Sequence, residues 1–134
     1  GVATMVKESD SNRNAVVMAR QELASQIEIH IIALTKEASE QVGIGRDAEV
    51  NSLYSNAVKA TVDQTLKLSV PHKPSITKEV KNGARTECVY KLDVGAVNQA
   101  MLDNIKKRQM LYERMRTGEL FNELEEKIEQ QRAN

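Results

Sequence analysis

The residue types that do chemistry are present in this chain but scattered. His30 sits between Ile29 and Ile31 in an alternating stretch, facing the opposite way from the isoleucines, as on a half-exposed strand. The other histidine, His72, falls in a Pro71-His72-Lys73-Pro74 turn. Two isolated histidines lack the close ligand spacing of a metal site. Cys88 is the single cysteine, which rules out an intramolecular disulfide and a thiolate-rich metal centre. It reads as a small buried hydrophobe on a strand ahead of a reactive thiol or an intermolecular bridge. Glu22 with Glu28, and Glu37 with Glu40, have the composition of an acid–base pair. In a chain with 28% charged residues, however, such carboxylates are expected on a solvated face. Gly43-Ile44-Gly45-Arg46 opens like a phosphate loop but lacks the lysine and the further glycine that cradle a phosphate. Ser11, Ser25, Ser39, Ser52 and Ser55 occur without a nucleophile elbow or a Ser-x-x-Lys pattern. The sequence therefore predicts no catalytic, cofactor-binding or metal-binding residues and no enzymatic activity.

Charge narrows the partners. Nineteen acidic residues balance nineteen basic ones, so a phosphate backbone exerts little long-range attraction and nucleic acid is not expected. Lys106-Lys107-Arg108, Arg114 and Arg116 are interleaved with Asp103, Glu113 and Glu119, which reads as mixed-charge surface. The one constellation above background is Leu120, Phe121, Leu124 and Ile128, an apolar helical stripe among Glu123, Glu125, Glu126, Lys127 and Glu129. Its net negative flank disfavours an anionic membrane. A protein partner or self-association through these four residues is the expectation. No run approaches the ~20 apolar residues of a membrane span.

At 134 residues and 40% apolar content the chain suits one domain with a real core. With aromatics at only 3%, that core must be aliphatic, which suits thin helix-on-sheet layers. Val2–Val6 reads as a short first strand. Ser9, Asp10, Ser11 and Asn12 are N-cap types placed before a helix of roughly 12–26, whose stripe is Ala15, Ala19, Leu23 and Ile27. From Ile27 the pattern changes to alternation, predicting a strand to about Ala38. Gly43 and Gly45 mark a turn and Asp47 is a candidate cap. Val50, Leu53, Tyr54, Ala57, Val58, Thr61, Val62 and Leu66 then form the cleanest amphipathic helix, over 48–66.

Leu66–Val94 reads as an antiparallel hairpin, with Pro71 interrupting or edging the first strand and Asn82-Gly83 as a type I′ turn. Everything from Ala96 is helix-compatible. One helix to Gln131 would be ~50 Å long. It would overhang a domain of this size and pack on a second copy. The predicted order is β-α-β-α-β-β-α, an α+β fold with helices on one face of a mainly antiparallel sheet. Residues 1–95 form the core domain, and 96–134 form a long C-terminal helix that belongs to it or oligomerises it. An alternative function is a small-ligand crevice between the sheet and helix 48–66.

Ser9-Asp10 leading to Ala15, Ala19, Leu23, Ile27, Ile29 and Ile31, together with the closing Tyr90-Lys91-Leu92-Asp93-Val94, resembles the LPP-twenty family of bacterial lipoproteins over residues 1–95. The resemblance implies an envelope-associated protein, periplasmic or at the outer membrane, with a structural or protein-interaction role and no assigned activity. Members often carry a lipid anchor on an N-terminal cysteine. The chain begins with Gly1, as a processed product would, so membrane attachment is expected only through an anchor outside these residues.

Overall fold

A computed structural model describes the backbone of residues 2–69, 76–80, 83–87 and 92–133, and the side chains of 13–69 and 92–132. The first element is a forty-residue helix, α1 (Val2–Gln41), about 60 Å long at 1.5 Å per residue. It absorbs the segments predicted as a first strand, a capped helix entry and a second strand. Ser9–Asn12 thus lie inside a helix and do not start one. Successive helical residues turn by about 100°, so Ile27, Ile31, Thr35 and Ala38 continue the stripe begun at Leu23, and all five are buried. Ile29, about 200° round from Ile27, is 65% exposed. The alternation at 27–31 thus fits either period. Burying Ile27 and Ile31 is worth about 1.5–3 kcal/mol each. The helical penalty for a β-branched residue is under ~0.7 kcal/mol, so the helix wins.

α1 ends at Gly43, whose φ of +70° closes the helix in the left-handed region and whose N–H donates to Glu40 O at 3.1 Å. A 3₁₀ turn at Ile44–Arg46 follows, and then α2 (Ala48–Leu68). Asp47 caps α2 as expected, its Oδ1 accepting from Val50 N at 3.2 Å. The predicted stripe is also found: Val50, Ala57, Val58 and Thr61 are buried, with Leu53, Tyr54, Val62 and Leu66 packed against the same core. Leu66 and Leu68, expected on a strand, form the last turn of α2. The Leu66 carbonyl there accepts from Ser69 N, Ser69 Oγ and Arg20 Nη2 at 3.2, 2.8 and 3.0 Å. Among the described residues this stripe, expected to border a crevice between a sheet and helix 48–66, packs against other helices.

The strands β1 (Ile76–Val80) and β2 (Gly83–Glu87) pair antiparallel, with Val80 opposite Gly83, and β2 runs alongside α1. This ribbon is the only β structure among the described residues, and the fold is otherwise helical. The predicted α+β architecture, with helices on one face of a mainly antiparallel sheet, is therefore incorrect. Gly83 already belongs to β2, which thus begins one position earlier than the expected Asn82-Gly83 turn allowed. Pro71, His72, Cys88 and Tyr90 lie outside the described residues. A two-stranded ribbon is marginal alone in water and needs a surface to rest on.

The predicted single C-terminal helix is three: α3 (Val94–Lys106), α4 (Gln109–Arg116) and α5 (Glu119–Ala133). The chain turns at Lys107-Arg108 and at Thr117-Gly118. These turns bring Val97, Met101, Ile105, Leu111, Met115, Phe121 and Ile128 into one core with Leu23, Ile27, Ile31 and Val58. A straight helix would have carried its second half away from that core. Arg108 bridges the first turn, its Nη1 donating to Asn104 O at 2.9 Å. At the second, Gly118 lets the backbone approach the end of α1 so closely that a Cβ would lie 2.7 Å from Gln41 Oε1 and from Val42 Cγ1.

Candidate functional site

Among the described residues, the chemistry-bearing side chains are either held by structural partners or exposed singly. His30 is half-buried on α1, and its Nε2 lies 2.6 Å from Asn98 Oδ1 on α3. An amide oxygen only accepts, so the ring donates there. The glutamates at 22, 28, 37 and 40 are exposed along α1, and no group of three metal-capable side chains occurs among the described residues. The Gly43–Arg46 turn directs its amides inward: Arg46 N donates to Gly43 O at 3.0 Å and Asp47 N to Ile44 O at 3.3 Å. Those donors are not aimed at a ligand. A shallow cleft of about 740 Å³ opens beside this turn, bordered by Glu40, Arg46, Asp47 and Arg114. Its charges are mutually balanced, since Arg114 Nη2 binds Asp47 Oδ2 at 2.9 Å while Nη1 reaches Val42 O at 3.4 Å. The pair pins α4 to the start of α2.

The interior carries polar bonds that sequence reasoning did not assign. Thr35 Oγ1 donates to Ile31 O at 2.9 Å and is hydrogen-bonded to Tyr54 OH. Burial pushes the Tyr54 phenol above its ordinary range, partly offset by the bond to Thr35. Asn104 Nδ2 donates to Thr61 Oγ1 and Ala100 O, each at 3.0 Å, and to Gln64 Oε1 at 3.3 Å. Buried polar groups are tolerated when paired, and these pairs fix the register of α1 on α2 and of α2 on α3. Thr61 was visible within the apolar stripe of helix 48–66, which is the signal that marks it.

The basic cluster of α3 and α4 is likewise engaged. Lys106 Nζ lies 2.7 Å from Glu129 Oε1 and 3.8 Å from Glu125 Oε2. The Glu129 bond raises the lysine's pKa. Tyr112 OH donates to Glu125 Oε2 at 2.6 Å, which raises the phenol's pKa, and Arg116 stacks over the Tyr112 ring at 5.1 Å.

The four residues expected to meet a partner lie on the inward side of α5. Phe121 is fully buried, edge-on to Tyr112 at 6.0 Å between ring centroids, and Ile128 is buried. Leu120 and Leu124 are half-buried and border a shallow groove of about 220 Å³ between α1 and α5, with Leu34 and Ala38 opposite. The stripe is thus largely occupied by the chain's own helices.

Among the described residues, large apolar side chains are exposed singly at Leu68, Val94 and Met110, and several are exposed along α1, Val17 among them. Met18 is 68% exposed, Ile29 65% and Ile32 42%, on the side of the helix opposite Leu23, Ile27 and Ile31. Met18, Ser25 and Ile32 recur every seven residues, and so do Glu22, Ile29 and Lys36. The two rows lie side by side on one face. No helix among the described residues is long and apolar enough to cross a membrane. Scans against protein-family models, curated proteins and solved structures find no match to this chain.

Proposed function

We propose that the protein is a non-enzymatic interaction module that binds a protein partner through the outer face of α1. The observation that carries this reading is the group of exposed apolar side chains on the outer face of that helix. Met18, Ile29 and Ile32 remain exposed on a helix whose core-facing stripe is already complete. Single exposed hydrophobes are ordinary, but Ile29 and Ile32 are neighbours on this face and Met18 lies two heptads before Ile32, which suits a helix that packs on two sides. The paired interior polar groups and the balanced charges of the Gly43–Arg46 cleft support a scaffold role over a reactive one. An envelope location remains part of the proposal through the sequence resemblance over residues 1–95, although the fold that resemblance implied is not the one found.

A photo-reactive side chain at Ile29 in the source cells should give a discrete cross-linked adduct, and the same probe at the exposed Glu126 of α5 should give none. Equal labelling at both positions, or no adduct at Ile29, would refute the interaction reading. Cell fractionation checks the location: recovery in the cytoplasmic fraction alone would remove the envelope part.

A further inference from the structure

The start of α4 differs from the starts of α2, α3 and α5. α2 begins on the Asp47 side chain, α3 on Asp93 Oδ1, which accepts from Ala96 N at 3.1 Å, and α5 on Gln41 Oε1. α4 begins at Arg108, whose side chain caps nothing. The amides of Gln109, Met110 and Leu111 find no acceptor among the described residues, and Leu111 is fully buried, so water does not reach its N–H. One residue makes the break: Lys107 keeps helical angles (φ −68°, ψ −19°), and Arg108 is extended (φ −106°, ψ 90°). Turning ψ of Arg108 by about 130° would make α3 and α4 one helix. The three amides would then donate to the carbonyls of Ile105, Lys106 and Lys107. Residues 105–111 hold no glycine or proline, and most are strong helix formers.

We propose that the chain exchanges α4 and α5 with a second copy of itself by straightening at Arg108. A straight α3–α4 helix of about 35 Å carries α4 and α5 off their own core, and the same two helices of the other copy fill the surface they leave. The complementarity required is the one a single chain already displays. Leu111, Met115, Phe121 and Ile128 enter one core with Ile27 and Met101, Arg114 pairs with Asp47, and Glu129 pairs with Lys106, each now between copies. The turn at Thr117-Gly118 travels intact, because Thr117 Oγ1 donates to Arg114 O at 2.6 Å and Asn122 Nδ2 to Arg116 O at 3.0 Å within the exchanged segment. The outer face of α1 takes no part, so this inference stands apart from the interaction reading above.

Exchange requires α4 and α5 to leave the core, so the dimer forms while the chain folds and persists afterwards. Lys107 and Arg108 of the two hinges approach each other, and about 1 M salt, with a screening length of about 3 Å, removes that repulsion. Refolding from urea in that salt at about 1 mM, with a reductant to keep Cys88 from bridging copies, should give a species of twice 15.0 kDa in sedimentation velocity. It should survive dilution to about 10 µM.

Gln109→Pro tests the hinge. Gln109 is the first residue of α4 and Arg108 before it is already extended, so proline suits the turn and breaks the straight helix. The variant should lower the dimer yield about a hundredfold. Its monomer should keep the helical circular dichroism of the wild type, with an equal or higher urea midpoint. A wild-type dimer refolded from mixed isotopically light and heavy chains tests the exchange without any substitution. Carbodiimide should join Lys106 to Glu129 in peptides with one light and one heavy half. Monomer alone at every refolding concentration overturns the proposal. So does a dimer that a folded Gln109→Pro chain forms undiminished, or one whose Lys106–Glu129 cross-links stay light to light and heavy to heavy.

Discussion

Replacing Gly118 by alanine has opposite expected signs in the sequence and in the structure. On a single C-terminal helix, Gly118→Ala would remove a helix-interior glycine and stabilise the protein by about 1 kcal/mol. In the folded chain Gly118 lies between α4 and α5, and a Cβ would stand 2.7 Å from Gln41 Oε1 and 2.7 Å from Val42 Cγ1. Gln41 can swing away, but its Oε1 accepts from Leu120 N at 3.0 Å and caps the start of α5, so moving it forfeits that bond. Val42 is β-branched and half-buried against the core, and can yield only by shifting backbone.

Overpacking of this kind costs about 1–3 kcal/mol and loss of a cap about 1 kcal/mol. Against these stands a propensity gain of less than ~1 kcal/mol. The net expectation is a loss of about 2 kcal/mol, or a Tm lower by roughly 8 °C for a chain of this size. Urea unfolding of the wild type, Gly118→Ala, Val42→Ala and the double variant measures it. Val42→Ala should make the Gly118→Ala change cheaper by about 1 kcal/mol or more, because its clashing methyl is gone. A neutral or stabilising Gly118→Ala would refute the close approach of α1 to the α4–α5 turn.

Ile27→Ala should cost about 2–4 kcal/mol, whereas Ile29→Ala should stay within ~0.5 kcal/mol. Equal losses in chemical denaturation would contradict a continuous α1. Asn104→Ala should cost about 1–3 kcal/mol because Thr61 and Gln64 lose their shared donor. Thermal unfolding of that variant and of Thr61→Val reads it, and strict additivity in the double variant would argue against the bond. Tyr54, Tyr112 and Lys106 all have folded-state pKa values raised above their ordinary ones. The unfolded chain therefore releases these protons first, so the stability they contribute is complete below pH 10.0, the ordinary tyrosine value, and is lost as pH rises through the folded values. Tyr54→Phe should shrink the alkaline loss of stability, and an unchanged pH slope from equilibrium unfolding above pH 10.0 would remove burial of Tyr54 as a cause.

The regions read correctly from sequence are those where local pattern and tertiary burial agree. Asp47 followed by Val50, Ala57, Val58 and Thr61 specifies a capped helix with one apolar face, and α2 is that helix. The Leu120–Ile128 stripe was legible as an apolar face, but its occupant was not. Whether Phe121 meets Tyr112 of the same chain or another molecule depends on the turn at Gly118. The exposed row of α1 was hidden for a related reason: Ile29 was grouped with Ile27 and Ile31 by alternation, and only the helical rotation separates it from them.

The sequence by itself determined the apolar stripes, the cap at Asp47 and the charge balance, because each depends on residues within a few positions of one another. Tertiary structure alone decided that α1 runs unbroken through Ile27, since the choice between two periods turned on which isoleucines found a core to enter. It also decided that the C-terminal segment folds back twice. The acceptor that caps α5 is Gln41, 79 positions before Leu120, and no local pattern encodes an approach between residues so far apart.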